Sequence, residues 1–299
     1  MSRFELHAPA SIPEAVSLGA RFGDDARFLA GGTDLLIQIQ RGRIAPGHVV
    51  SLHRVSGLEG LSVNGSIVIG AGVTHRRIEK TPAFRGALAA LIEAAEVIGG
   101  HQVRNVATVG GNIVNASPAA DLVPVLLALD AEVTLTGVRG ERTLPLAAFL
   151  VGPGQTARGP DEVLVRATMS TLAARTGTAF LKAGRRRAME ISVACVAVRV
   201  TLDASSERCV DARIALGAVA PTTIRAAAAE RALAGQSLSA EALRAAGALA
   251  ADACEPITDV RASADFRRHL VGALVPRALS RAAQRARGPD RHDSPTPLG

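Results

Sequence analysis

Residues 108–124 read TVGGNIVNASPAADLVP and are the most informative stretch of this 299-residue chain. The glycine pair Gly110-Gly111 permits a sharp turn and lets the backbone approach a ligand closely. Short polar side chains follow at Asn112, Asn115, Ser117 and Asp121. We expect residues 100–117 to form a loop that hydrogen-bonds a polar ligand, with a helix over residues 119–129. The alternative is that Asp121 caps this helix and Asn112 closes the turn.

A second glycine pair lies upstream, in the segment FLAGGTDL at residues 28–35. We predict a strand over residues 27–30, a turn at Gly31-Gly32 and a helix over residues 35–40. Backbone N–H groups at the start of a helix favour an anion such as phosphate, and Thr33 adds a hydroxyl donor. Taken alone, such a turn is more simply explained as structural, because glycine is an ordinary turn residue.

The rest of the chain divides into a mixed first part and a C-terminal part of strands followed by helices. A capping box at Ser11 and Glu14 predicts a helix that ends near Phe22. Further strands are predicted over residues 49–52, 66–73, 132–136, 162–170, 191–200 and 211–219, and further helices over residues 85–99, 225–234, 239–253 and 262–285. Glycine and proline in residues 152–160 indicate a boundary or a loop across a site. The change in pattern predicts a separate C-terminal α+β domain.

Composition excludes several functions. The chain carries no Trp or Tyr, so a tyrosine acid or nucleophile is ruled out. Its net charge is +7, but the arginines are scattered and lack aromatic platforms, which argues against nucleic-acid binding. Its two lysines are Lys80 and Lys182. The chain contains no apolar run long enough to span a membrane and no N-terminal signal region, so we expect a cytoplasmic protein.

The cysteines and histidines show no metal-binding or catalytic spacing. Cys195, Cys209 and Cys254 are far apart, which argues against zinc, iron–sulfur ligation by this chain and a disulfide framework. The seven histidines lack metal-ligand spacing, and His48, His53, His75 and His101 are interpreted as surface or loop residues. We therefore predict neither a metal site nor catalytic residues in this chain.

Taken together, four segments resemble one family. They are AGGTDL at 30–35, IGAGVTH at 69–75, the stretch 108–124 and LGAVAPTTIRA at 216–226. Over residues 4–285 the chain resembles the FAD-binding medium subunit of the molybdenum hydroxylases, which include xanthine dehydrogenase and carbon monoxide dehydrogenase. The resemblance implies an α+β protein in which an FAD-binding domain of the vanillyl-alcohol oxidase (PCMH) type spans residues 1–172, with subdomains of about 1–55 and 56–172. A smaller α+β domain with an antiparallel sheet and helices follows over residues 173–285, and residues 286–299 form a disordered tail.

The resemblance also implies which residues bind FAD. The first loop contributes Leu29, Ala30, Gly31, Gly32, Thr33, Asp34 and Leu35. The second loop contributes Thr108, Gly110, Gly111, Asn112, Asn115, Ser117 and Asp121. Lys182, in Phe180-Leu181-Lys182, is expected near the flavin ring or its phosphate arm, although without the family a solvated lysine at a strand end is the simpler interpretation. Ile98 stands where some relatives place a phenylalanine on the flavin ring, and can cover the ring by dispersion contact. Thr33 replaces the histidine that attaches FAD covalently in some relatives of this fold, so noncovalent FAD is expected.

Family membership implies an electron-transfer role. Single electrons arrive from [2Fe–2S] clusters on a small partner subunit and leave as a pair to NAD⁺, oxygen or a quinone-linked acceptor. The molybdenum cofactor lies on a large partner subunit, and a dimer of heterotrimers is expected. One alternative is a stand-alone FAD-dependent oxidase or dehydrogenase that acts at its own flavin. Another is a flavin-free binding or assembly protein in which both glycine loops are structural.

Overall fold

The computed structural model describes residues 3–186 and 189–288. Its first unit is a parallel sheet with strand order β1-β3-β2, formed by β1 (Glu5–His7), β2 (Ala26–Leu29) and β3 (His48–Ser51). Helix α1 (Ile12–Phe22) follows β1 in the chain, and helix α2 (Leu35–Gln40) follows β2. The predicted capping box is confirmed, because the Ser11 hydroxyl accepts the Glu14 N–H and the Glu14 carboxylate accepts the Ala10 N–H. The short strand β1 was not predicted.

An antiparallel five-stranded sheet forms the second unit, in the order β4-β5-β10-β6-β7. Its strands are β4 (Leu61–Asn64), β5 (Ser66–Gly70), β6 (Glu132–Gly137), β7 (Gly140–Pro145) and β10 (Val163–Ser170). A small hairpin of β8 (Leu150–Gly152) and β9 (Gln155–Thr156) overlaps the start of the predicted glycine- and proline-rich segment. The helices of this unit are α3 (His75–Lys80), α4 (Ala89–Glu96), α5 (His101–Val106), α6 (Val109–Val114), α7 (Leu122–Ala128) and α8 (Leu146–Phe149). Helix α7 is buried along its whole length and anchors the core.

A third unit follows, with an antiparallel sheet in the order β11-β12-β13-β14. Its strands are β11 (Thr176–Ala183), β12 (Ala194–Leu202), β13 (Cys209–Gly217) and β14 (Ile224–Arg225), and its helices are α9 (Ala227–Leu233), α10 (Ala240–Asp252) and α11 (Ala264–Arg287). Successive residues of a strand point to opposite faces. On β12, Val196 and Val198 accordingly join the helices in one core, whereas Cys195 and Ala197 join the core of the preceding unit. Both faces of the sheet are therefore covered.

Helix α11 is tied to α4 by a partly buried carboxylate. Glu93 of α4 accepts the backbone N–H of Phe180 at 2.8 Å and receives the guanidinium of Arg285, with an Nη2–Oε1 distance of 2.6 Å. Arg281 adds a further contact to Glu93 at 3.3 Å. Since these groups are up to 192 residues apart in the chain, the clamp joins its two major parts.

The mixed α+β organisation predicted from the sequence is confirmed, with an antiparallel sheet and helices in the C-terminal part. Helix α11 continues to Arg287, two residues beyond the predicted end of the last domain, while residues 289–299 of the predicted tail lie outside the described residues. The three cysteines are buried and free. Among residues 3–186 and 189–288, the structure has no helix that is both long and apolar enough to cross a membrane.

Candidate functional site

The first glycine loop connects β2 to α2 and packs directly against the second loop region. A Cβ atom on Gly31 would lie 2.1 Å from the carbonyl oxygen of Val106, so no other residue fits at this contact. Gly32 has a φ of +72°, a conformation that favours glycine. The two segments predicted to share a ligand, although about 75 residues apart, are therefore in contact.

The second loop is more ordered than the sequence indicated. The prediction of a loop over residues 100–117 is wrong for most of that span, which forms α5 and α6. Helix α6 begins despite its two glycines because the Thr108 hydroxyl accepts the Gly111 N–H at 3.1 Å, and because the N–H groups of Val109 and Gly110 bond to the carbonyls of Val73 and Ala71. Capping and neighbouring backbone thus compensate for the low helix propensity of glycine.

The two glycines at the start of α6 have different surroundings. A Cβ on Gly110 would lie 2.6 Å from the Cβ of Ala71, so Gly110 is required for packing. A Cβ on Gly111 would meet only the Thr108 hydroxyl, at 3.1 Å, and otherwise open space. Gly111 therefore leaves room beside the helix for a bound group.

Two buried polar atoms, one on α6 and one on α3, have no hydrogen-bond partner among the described residues. They are Oδ1 of Asn112 and Nδ1 of His75. The predicted turn-closing role of Asn112 is wrong, since this residue lies within α6. A buried acceptor without a donor is costly, so the Asn112 oxygen is suited to a hydroxyl or N–H group of a ligand.

His75 was interpreted as a surface or loop residue, and that is wrong. It begins α3 and is 1% exposed, and its N–H donates to the Ala107 carbonyl at 3.1 Å. Burial, together with the positive charge of Arg104, lowers the pKa of His75 to about 4. His75 is therefore neutral at pH 7. Its hydrogen bond to Ala107 supports the start of the second loop.

Arg104 holds the segment that precedes the second loop. It is 6% exposed, and its guanidinium donates to the carbonyls of Ile98 and Gly99 and to the Glu79 carboxylate. Ile98 itself is half-buried. Sequence reasoning did not single out Arg104, because its neighbours in α5 are mostly polar and exposed and give no sign of its burial.

Asp121 and Lys182 meet in a buried cluster beside the second loop. Lys182 Nζ donates to Asp121 Oδ2 at 2.7 Å and to the carbonyls of Val97 and Glu190. Ser192 donates to Asp121 Oδ1 at 2.5 Å. Burial raises the pKa of the Asp121 carboxyl, and Lys182 and Ser192 oppose that rise. This cluster joins the second loop to β11 and to the segment that follows it.

Two of the simpler interpretations are wrong at this cluster. Asp121 occupies the N-cap position of α7, but its side chain makes no capping hydrogen bond. Lys182 is not a solvated strand-end lysine, because its side chain is only 10% exposed. Ser192, which sequence reasoning missed, had no distinguishing local signal.

The other predicted residues lie in the first glycine loop or directly after α6. Leu29 ends β2, Leu35 begins α2, and Ala30, Thr33 and Asp34 lie between them. Partial burial raises the pKa of Asp34, and a hydrogen bond from Thr33 opposes this rise. Asn115 follows α6 and its N–H donates to the Gly111 carbonyl, while the Ser117 hydroxyl accepts the Ala119 N–H. The site therefore consists of hydrogen-bonding groups suited to hold and orient a ligand.

Comparison with known proteins identifies the two parts of the chain. Residues 2–169 match the FAD binding domain in molybdopterin dehydrogenase, and residues 179–282 match the CO dehydrogenase flavoprotein C-terminal domain. The chain is 36% identical over 281 residues to the carbon monoxide dehydrogenase medium chain of Hydrogenophaga pseudoflava, covering 94% of this chain and 97% of that protein. It is 34% identical over 285 residues to the xanthine dehydrogenase FAD-binding subunit of Escherichia coli, with coverage of 94% and 97%.

A solved structure of carbon monoxide dehydrogenase from Hydrogenophaga pseudoflava has the same fold. The TM-score is 0.91 at 37% identity, over 95% of this chain and 98% of that chain. Quinoline 2-oxidoreductase from Pseudomonas putida 86 is similar over the same share of each chain, with a TM-score of 0.87 and 31% identity.

Proposed function

The chain belongs to the family of FAD-binding medium subunits of the molybdopterin dehydrogenases, and from that premise we propose that it is the electron-transfer subunit of a multi-subunit molybdenum hydroxylase. Within such a complex the chain receives single electrons from [2Fe–2S] clusters on a small partner subunit. A large partner subunit carries the molybdenum cofactor. The electron pair leaves to NAD⁺, oxygen or a quinone-linked acceptor. A dimer of heterotrimers in the cytoplasm is the assembly that we propose.

The described residues fit FAD, and the contact between the two glycine loops is the observation that carries this proposal. Gly31 brings the first loop against Val106, and the space beside Gly111 is open apart from the Thr108 hydroxyl. The buried Asn112 oxygen, on the same helix as Gly111, is an acceptor with no partner among the described residues. When bound there, FAD supplies the conversion between one-electron and two-electron transfer.

Each part of the chain has a distinct task in this proposal. The first loop, residues 29–35, and the second loop, residues 108–121, hold the diphosphate and the sugar alcohol chain by N–H, hydroxyl and amide groups. Ile98, fixed through its carbonyl by Arg104, covers the ring by dispersion contact. The buried Asp121–Lys182 pair positions the second loop against the C-terminal part. We place the boundary between an FAD-binding domain, residues 1–172, and a C-terminal domain at residue 173.

The proposal predicts noncovalent FAD, because Thr33 has no ring nitrogen to attach to the flavin. The purified chain should show the visible absorption of a flavin, and mild acid denaturation should release all of it into the filtrate. Flavin retained by the denatured chain would overturn noncovalent binding, and a colourless chain that takes up no added FAD would favour the flavin-free alternative.

Electron transfer is tested with the assembled complex. The flavin of the complex should be reduced by the substrate of the molybdenum subunit, whereas the flavin of the isolated chain should not be. Rapid reduction of the isolated chain by a small-molecule substrate would instead support a stand-alone oxidase or dehydrogenase. Light scattering of the complex measures whether it is a dimer of heterotrimers.

A further inference from the structure

Three potential metal ligands lie together at one edge of the N-terminal sheet, away from the glycine loops. Glu5 and His7 are two residues apart on β1, so their side chains share a face. Strand β1 pairs with β3 in parallel, and Glu5 lies opposite His48 in the register. The topology therefore places a carboxylate and two imidazoles on one face of two adjacent strands.

The distances between the ligand atoms suit a single small cation. Nε2 of His7 and Nδ1 of His48 are 3.1 Å apart. The Glu5 carboxylate oxygens lie 3.9 Å from Nε2 of His7 and 3.6 Å from Nδ1 of His48. Ligands bound tetrahedrally to zinc are about 3.3 Å apart, given bonds of about 2.0–2.1 Å. The Glu5 side chain is 68% exposed and can move by the few tenths of an ångström that this requires.

The two imidazoles are already oriented by packing. The Phe22 ring stacks on His48 with centroids 3.6 Å apart, and on His7 at 5.0 Å. The two histidine side chains are only 15% and 22% exposed. Little side-chain entropy remains to be lost when a cation binds, which favours affinity.

We propose that Glu5, His7 and His48 form a binding site for one divalent transition-metal ion of the zinc class. Two imidazole nitrogens and one carboxylate oxygen supply three ligands, and water fills the fourth position, a donor set that is common for zinc. Without metal, the two nitrogens share a hydrogen bond in which one of them carries a proton. Metal binding moves that proton to the other nitrogen of the same ring, so both imidazoles stay neutral.

The site would fasten the N-terminal strand to the sheet. Strand β1 has only three residues, and the metal would link it to β3 in addition to the backbone ladder. Strands β2 and β3 begin beside the cluster and end at Leu29 and Ser51, toward the first glycine loop. The cluster and the loop are thus about 10 Å apart, at about 3.3 Å per residue, so metal binding and FAD binding can be measured separately.

The experiment uses the tag-free full-length chain after removal of metals by a chelator. Competition against a chromophoric chelator measures the Zn²⁺ affinity, and Co²⁺ substitution reports four-coordinate geometry by its visible absorption. We expect one equivalent of Zn²⁺, a higher thermal midpoint when it is bound, and an unchanged FAD content. His7→Gln and His48→Gln should each weaken Zn²⁺ binding by about tenfold or more, the loss expected when a ligand is removed.

Two further variants make the result decisive. Glu5→Gln removes the exposed ligand without disturbing the packed rings, so it reports on the site even if a histidine variant folds poorly. His53→Gln is the matched control, because His53 is exposed and lies outside the cluster; it should bind Zn²⁺ like the wild type. Absence of one-to-one binding to the wild type, or wild-type affinity in both Glu5→Gln and His48→Gln, would overturn the site and leave the histidine pair as a hydrogen bond only.

Discussion

The two glycine pairs look alike in the sequence and differ in the structure. Gly31 and Gly110 have no room for a side chain, because Val106 and Ala71 lie where a Cβ would stand. Gly32 has a positive φ, a backbone conformation that favours glycine. Gly111 satisfies neither condition, since its neighbourhood is open. Three of these glycines therefore serve the fold, whereas we attribute the fourth to the ligand, and substitutions can test that distinction.

Gly31→Val should have the largest effect on stability. The new side chain meets a backbone carbonyl, which cannot move without displacing α5 from the loop. Overpacking of this kind should lower the free energy of unfolding by about 3 kcal/mol. Urea denaturation of the FAD-free chain measures this loss, and a stability equal to that of the wild type would mean that the two loops are not in contact.

Acid should destabilise the folded chain, because His75 is buried in its neutral form beneath the segment that leads into the second loop. The folded-state pKa of His75 is about 4, below the ordinary value of 6.5. The unfolded chain therefore binds a proton first, and the stability from neutral His75 is complete above pH 6.5 and is lost as the pH falls toward 4. The loss should be about 2 kcal/mol between pH 7.5 and pH 5.

The measurement is the pH dependence of urea denaturation in the wild type and in His75→Gln, each referred to its own value at pH 7.5. His75→Gln should lose about 2 kcal/mol less than the wild type over this range. His101→Gln, which changes a partly exposed neighbour, serves as the control. Parallel profiles in the wild type and His75→Gln would show that His75 is protonated or solvated in the folded chain at neutral pH.

Gly111→Val is the counterpart of Gly31→Val. Valine and glycine have similar helix propensities and the space is open, so the unfolding free energy of the FAD-free chain should change by less than about 1 kcal/mol. FAD content should nevertheless fall below about one-tenth of the wild type, since the branched side chain fills the space of the phosphates. Gel filtration followed by flavin absorbance measures the ratio. Full FAD occupancy in this variant would show that Gly111, like the other three glycines, serves the fold and not the ligand.

Asn112→Ala should have the smallest effect on stability but should still weaken the binding of FAD. The variant removes an acceptor that no described group satisfies, so the FAD-free chain should change by less than about 0.5 kcal/mol. The affinity for FAD should fall by about tenfold through one lost hydrogen bond. Fluorescence titration with FAD tests this; unchanged affinity would show that water satisfies Asn112 instead.

Local signals predicted the parts of this structure that depend on neighbouring residues. The capping box at Ser11 placed α1, and the strand and glycine turn at residues 27–32 placed the first loop. The family segments indicated the class of protein, which the comparisons confirm.

Long-range contacts account for most of what was missed. Helix α6 contains two glycines and forms because Thr108 caps it and Val73 and Ala71 supply carbonyls. Strand β1 is too short for a periodic signal and exists by pairing with β3. The burial of His75 and Arg104 follows from helices that pack on them, and no spacing in the sequence shows it.

The clamp between Glu93 and the last helix has a consequence for synthesis. A chain emerging from the ribosome presents Glu93 long before Arg281 and Arg285 exist, and the carboxylate gains these two partners only when α11 docks. Closing contacts over such separations is slow compared with local folding. The nascent chain should therefore stay open at this seam until its final helix is complete, and truncation before residue 281 should leave a chain that is prone to degradation although both glycine loops are present.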